Sequence, residues 1–358
     1  MAPAAPAPDR LRLRLPLPVP YDLGWVLGFL ADRAAPSLER IDAAGMVRAV
    51  RIAGVPALLA VRPIPDAAAP RWLAVEAVPA GPSHLPAGRA DAGKGQERGP
   101  RRLRRRAGES GAAAAGVART SLRRLVRRML DLDTDLGPFL ALARRDPLLA
   151  PLVARHPGLR LPQLPDPFEG AVRAIIGQQV SVAAARTVVD RLIRQLGEPL
   201  GELPSQTAAE LPGRTPDGPS GAAGGPFFAF PHPAALAAAR LERLTALGLT
   251  RAKAAALIAV AAATADGTLD WERLRGAPPE AARAALLALP GIGPWTAAYL
   301  RMRALGDRDA FPASDLGVIK ALAALAPRTP AARIAILAER WRPFRAYAAI
   351  HLWRSLSA

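Results

Sequence analysis

Apolar residues recur at every second position over roughly the first 80 residues of this chain, and at every third or fourth from about Thr120 onward. A strand sends alternate side chains to one face, whereas a helix returns to a face about every 3.6 residues, so the chain must build two different kinds of layer. In the first part Leu11, Leu13 and Leu15 alternate with Arg12 and Arg14 as a half-buried strand does. Asp22 can cap a helix that carries Trp25, Val26, Phe29 and Leu30 at helical spacing. Further strands are predicted over 46–52, 55–61 and 72–78, the first two joined as a hairpin around Gly54. In the second part Ser121 can cap a helix bearing Leu122, Leu125, Val126, Met129 and Leu130, and Pro167 opens another with Phe168, Val172, Ile175 and Ile176. The same pattern runs over 182–196 until Gly197 stops it. The fold class expected is α+β, with an α+β domain over 9–80 and an all-α domain over 119–358.

Two stretches interrupt this order. Residues 81–118 are rich in Gly, Ala and Pro and hold eight basic residues, among them Arg101, Arg102, Arg104, Arg105 and Arg106. Such a composition cannot bury a core, and it suits either a basic arm gripping phosphates or a solvated, disordered insertion. Residues 198–226 form a second low-complexity loop inside the helical part. Both leave the chain strongly basic: across its 358 residues the net charge is +18, which points to an anionic partner. Zero cysteines exclude disulfides, thiolate metal sites and a cysteine nucleophile. His84, His156, His232 and His351 stand alone in their segments, which disfavours a histidine metal cage. No apolar run approaches the ~20 residues that span a bilayer, and the N-terminus shows no charged-then-apolar export signal. A soluble, cytoplasmic protein without membrane partners is expected.

The most informative segment is LPGIGPWTAAY at 289–299, between two helical patterns at 280–288 and 295–305. Gly291 and Gly293 are expected where side chains would obstruct a tight turn, and Pro294 falls where the second helix begins. Amides near Gly291, Gly293 and Trp295 would then lie unpaired beside a positive helix end, a site suited to phosphate. An ordinary αα-hairpin has the same local signature.

Further segments follow in a fixed order: YDLGWVLGFLADRA at 21–34, FEGAVRAIIGQQVSV at 168–182, FPASDLGVIK at 311–320 and ERWRPFRAYAAIHLW at 339–353. Together with the Gly-rich turn, this set resembles the helix-hairpin-helix DNA glycosylases, and among them 3-methyladenine DNA glycosylase II of the AlkA type. The resemblance spans both domains and omits the extreme N-terminus and the two insertions. It implies a TATA-binding-protein-like sheet domain followed by an all-α helix-hairpin-helix glycosylase core. The partner it implies is double-stranded DNA containing alkylated bases, bound by a monomer.

On residue type alone Asp315 reads as a helix N-cap. The resemblance makes it the catalytic carboxylate, placed to stabilise the positive charge that develops on the sugar as the glycosidic bond breaks. Purines alkylated at N3 or N7 are cationic and leave as neutral bases, so a single acid can suffice. The resemblance also implies a base pocket lined by Trp295, Tyr299, Trp353 and Phe29, which suits a cationic ring; aromatic residues at these spacings would equally serve a core. DNA contacts are implied at Gly291, Gly293 and Thr296, with Gln178 and Gln179 in the region that wedges into the duplex. Relatives that also cut the strand carry a lysine where Trp295 stands, and the only lysines here are Lys94, Lys253 and Lys320. Monofunctional hydrolysis is therefore expected. No cofactor is required on this reading; a sodium or potassium ion held by the carbonyls of Leu287, Leu289 and Ile292 is implied by resemblance alone. The competing expectation is a helix-hairpin-helix DNA-binding protein without catalysis.

Overall fold

The computed structural model describes residues 10–66, 70–80, 100–200 and 225–356, apart from the side chains of 100–113. Its N-terminal part is a five-stranded antiparallel sheet built from β1 (Leu11–Pro16), β2 (Glu39–Asp42), β3 (Gly45–Ile52), β4 (Val55–Ile64) and β5 (Trp72–Pro79), in the order β1-β5-β4-β3-β2. Helix α1 (Leu23–Ala31) starts at Asp22, whose side chain accepts from the Trp25 amide as expected. In the β3–β4 hairpin Ile52 faces Val55, and Ala53 and Gly54 both adopt positive φ (50° and 83°). That backbone matches the right-handed twist of the two strands it joins. Strand β2 has no counterpart in the sequence reading, because four residues with one strong apolar position carry too little alternation to register.

Both faces of the sheet are used. Leu15, Val50, Leu59, Leu73 and Val75 pack with α1 and with the end of α2 (Pro100–Met129), through Leu122, Val126 and Met129. From the other face Val47, Ala49 and Leu58 join the core of the helical part, alongside Phe168 and Val172. Helix α2 corrects one expectation, since it begins at Pro100 and Ser121 lies within it as no cap. Alanine and arginine favour helix strongly, and residues 114–117 are exposed, so this helical stretch forms without an apolar stripe to betray it. Of the stretch read as an insertion, 81–99 lies outside the described residues.

The helical part comprises α3 (Gly137–Ala143), α4 (Ala150–Arg155), α5 (Pro167–Gly177), α6 (Val182–Leu196), α7 (Pro233–Ala237), α8 (Leu241–Thr245) and α9 (Arg251–Ala265). It continues with α10 (Trp271–Gly276), α11 (Pro279–Leu287), α12 (Pro294–Arg303), α13 (Leu316–Leu325), α14 (Ile334–Ala338) and α15 (Arg345–Arg354). Between α6 and α7 the ends of the second low-complexity loop are zipped by β6 (Glu198–Pro199) against β7 (Phe228–Ala229), with Leu200 and Phe227 buried beside them. Residues 201–224 of that loop lie outside the described residues. One apolar cluster gathers α5, α6, α9, α11 and α12; a second gathers α3, α4, α13 and α15 around Trp341 and Tyr347.

Sheet and helices are also joined by a buried ring of charge. Arg48 on β3 reaches Glu39 at 2.7 Å and Glu169 of α5 at 2.8 Å. Arg173, one turn further along α5, closes the ring on Glu169 at 2.7 Å and Glu39 at 2.6 Å. Every member has an oppositely charged partner on each side, the arrangement a buried ion pair needs if its desolvation is to be offset. Among the described residues no helix is long and apolar enough to cross a membrane.

Candidate active site

Helices α11 and α12 form the expected hairpin. The turn is closed by the Ile292 amide donating to the Leu289 carbonyl, and Ile292 itself points into the core. Gly291 has φ +76°, and a Cβ there would sit 2.5 Å from that of Ala256 on α9. Gly293 differs from expectation: its φ is −88°, and an added Cβ would meet nothing within 4 Å. The space beside it is open to a partner rather than filled by the fold. Pro294 occupies the first position of α12, and no side chain caps that helix. Its first-turn amides have no carbonyl a turn before them.

Asp315 is the N-cap of α13, and it does more than cap. Its Oδ1 accepts from the amides of Gly317 and Val318 at 2.9 and 3.1 Å and from the Trp353 indole N–H at 2.8 Å. Its Oδ2 accepts from the Trp295 indole N–H at 2.9 Å. Two indoles from α12 and α15 therefore hold the carboxylate in one orientation, and both of its oxygens act as acceptors. The capping amides are met by Oδ1 alone, which leaves Oδ2 to the Trp295 indole.

The carboxylate lies on a cleft of about 1450 Å³ whose lining includes Trp295, Tyr299, Trp353, Gln178, Gln179 and Arg303. Trp295 and Tyr299 are stacked at 5.3 Å, one turn apart on α12, and the Tyr299 and Trp353 rings lie 6.5 Å apart. Phe29 is a correction. It is 7 % exposed and lies behind the wall, stacked on Trp353 at 6.1 Å, with the guanidinium groups of Arg33 and Arg303 over its ring at 3.8 and 4.6 Å. Its contact with a ligand would pass through Trp353.

Of the residues expected to face DNA, Thr296 is buried against the turn, where its Oγ1 accepts from Gln178 Nε2 at 2.9 Å. Gln179 stands exposed at the bend between α5 and α6 with φ +56°. Leu287 and Leu289 lie at the exit of α11, and the Leu289 carbonyl accepts from the Ile292 amide. Among the described residues no cluster of three or more His, Asp or Glu could hold a metal.

Two residues escaped the sequence reading. Arg303 is buried in the cleft wall, its guanidinium pushed down to about 10 by burial, with Nη1 donating to the Tyr299 hydroxyl at 3.5 Å. Positions 295, 299 and 303 recur at four-residue spacing on one face of α12, a signal available in the sequence. Gly317 is the other: a Cβ there would come within 2.9 Å of the Trp353 ring and 3.0 Å of Asp315 Oδ1. Only the partnership of Asp315 with Trp353 reveals its purpose, and that is invisible before the fold is known.

This fold and site define a helix-hairpin-helix protein with an acidic helix cap on an aromatic cleft. The family model described as HhH-GPD superfamily base excision DNA repair protein matches residues 172–345, and that of the AlkA N-terminal domain matches 12–87 and 108–166. DNA-3-methyladenine glycosylase 2 of Escherichia coli K12 is 32% identical over 333 residues, 93% of each chain. The chain belongs to the family of that enzyme. A relative from Mycobacterium tuberculosis named "Probable bifunctional transcriptional activator/DNA repair enzyme AlkA" is 39% identical over 232 residues, which make up 64% of this chain and 42% of that protein. The chain thus spans less than half of that relative's length. Among solved structures, a 3-methyladenine DNA glycosylase from Archaeoglobus fulgidus shares the fold with a TM-score of 0.69 at 22% identity, covering 97% of this chain and all of that one.

Proposed function

We propose that the chain is a monofunctional DNA glycosylase that hydrolyses the N-glycosidic bond of alkylated purines swung out of duplex DNA, in base excision repair. The observation that carries this reading is the Asp315 carboxylate, fixed by two indole N–H groups at the edge of an aromatic cleft. As the bond between C1′ and the base lengthens, positive charge grows on the sugar, and a carboxylate already oriented stabilises it without reorganising. Water then adds to C1′ and passes its proton to the Asp315 carboxylate and on to solvent, and the products are a free base and an abasic site. A cationic purine leaves as a neutral base, so no general acid is called for. The exposed faces of the aromatic wall favour such a ring by ~1–2 kcal/mol once desolvated.

The resemblance puts Trp295 where a strand-cutting relative has its lysine, and a tryptophan there supports hydrolysis without an imine intermediate. Double-stranded DNA would meet the open first turn of α12 and the space beside Gly293. The carbonyls of Leu287, Leu289 and Ile292 are hard oxygen donors suited to a sodium or potassium ion, although Leu289 already spends one lone pair on the Ile292 amide. When bound there, such an ion would add positive charge beside the phosphate.

The test is to incubate duplexes bearing a single 3-methyladenine-type or 7-methylguanine lesion with the protein and quantify free base by chromatography. Asp315→Asn is expected to cut single-turnover release by at least about 10²-fold, with duplex affinity retained and no borohydride-trapped adduct. Tight DNA binding without base release by the wild type would establish the non-catalytic alternative.

A further inference from the structure

The bend between α5 and α6 is held far more firmly than a surface turn requires. Gln179 at its tip adopts left-handed φ, which costs a non-glycine residue ~1 kcal/mol and persists only where its surroundings impose it. Beside it Val180 is 46 % exposed, and both residues line the cleft. From the first turn of α9, Lys253 reaches across and donates to the Ile176 carbonyl at 2.9 Å and the Gln178 carbonyl at 2.6 Å. An ammonium at the C-terminal end of α5 meets the negative end of that helix, and these are charge-assisted bonds. On the other side Gln178 Nε2 donates to the Gly291 carbonyl at 2.8 Å and to Thr296 Oγ1 at 2.9 Å. A carbonyl only accepts, so the orientation of the Gln178 amide is fixed.

The geometry points to Lys253 and Gln178 as positioning residues for base extrusion: they weld the bend that carries Gln179 and Val180 to the α11–α12 hairpin, so that phosphate grip and wedge move as one body. This inference rests on the glycosylase reading of the cleft. Opening a base pair costs a few kcal/mol, which a wedge recovers only if it arrives in register with the anchored backbone. A bend free to sway by an ångström would lose that register while leaving Asp315 and its indoles intact.

The experiment compares Lys253→Met, Lys253→Arg and Gln178→Ala with the wild type. Single-turnover base release is measured from one lesion in three settings: a fully paired duplex, a bulge and a single strand. In parallel, 2-aminopurine beside the lesion reports extrusion by fluorescence in an Asp315→Asn background. Lys253→Met and Gln178→Ala should lose at least about tenfold on the paired duplex, and under about threefold where the lesion is already unpaired. Lys253→Arg, which can still donate to both carbonyls, should recover most of the loss. Equal losses in all three settings, or none on the paired duplex, would overturn the proposal. Should the wild type release no base in any setting while Lys253→Met still lowers the extrusion signal, the glycosylase reading fails and the positioning role stands.

Discussion

Gly317 shows how much of this site depends on an atom that is absent. Alanine is favoured over glycine within a helix by ~1 kcal/mol, and the backbone of α13 at this position is ordinary. At the second position of α13 that gain is outweighed, because an added methyl group would come within 2.9 Å of the Trp353 ring and 3.0 Å of Asp315 Oδ1, so Gly317→Ala should lower the melting temperature slightly and displace the ring from Asp315. The expected result is a drop of about tenfold in single-turnover release, measured well below the melting transition. A second residue, His351, is 1 % exposed in the core of α15, and neither ring nitrogen has a hydrogen-bond partner. Burial pushes it down to about 3. The folded chain holds this ring neutral while the unfolded chain titrates near 6.5, so its contribution is complete above that pH. It is lost as pH falls from about 6.5 toward 3, at up to about 1.4 kcal/mol per pH unit. Urea unfolding at pH 7 and pH 5 should show a smaller difference for His351→Leu than for the wild type. The sequence showed His351 only as an isolated histidine; nothing in its neighbours marks it as enclosed. Asp315, by contrast, was legible as a cap from residue type, and the catalytic role proposed for it came from the resemblance alone.

At the level of elements, the two glycines of the hairpin separate. Gly291→Ala meets both a left-handed φ and the Ala256 methyl, and should lower the melting temperature by several degrees together with DNA affinity. Gly293→Ala finds open space and should melt like the wild type, while binding DNA more weakly if a phosphate occupies that space. Calorimetry paired with fluorescence anisotropy distinguishes the two. Strands and helices with one apolar face were readable because burial imposes a period: β1, β3, β4, β5, α5 and α6 all fell close to their expected bounds. Helix α2 ran some twenty residues further toward the N-terminus than Ser121 suggested, since Ala and Arg favour helix without an apolar period to read. Phe29 stood on the correct helix face, but spacing along α1 could not say whether Trp353 would come between it and the cleft.

For the molecule as a whole, the ring of Arg48, Glu39, Glu169 and Arg173 is a buried polar link between sheet and helices. Burial alone would raise Glu169, but the charges of Arg48 and Arg173 together with their hydrogen bonds hold it below the ordinary carboxylate range. Glu169→Gln removes one negative charge from between two enclosed guanidinium groups and should cost about 3–5 kcal/mol, the usual consequence of breaking a buried pair from one side. Chemical denaturation would show this as an earlier midpoint, with near-native activity well below it if the cleft is otherwise undisturbed. None of the four residues could be singled out from the sequence, because a charged side chain in a strand or helix is ordinarily a solvated one.

The stack of Phe29 on Trp353 has a consequence for how such a chain can be cut down. A version trimmed to the helices alone would keep the acid, both indole donors and the glycine bend, and so every polar group in the reaction scheme. It would nonetheless leave the back of one tryptophan bare to water and free to pivot, so any shortened design must graft on a replacement buttress for that ring before its inventory of reactive groups counts for anything.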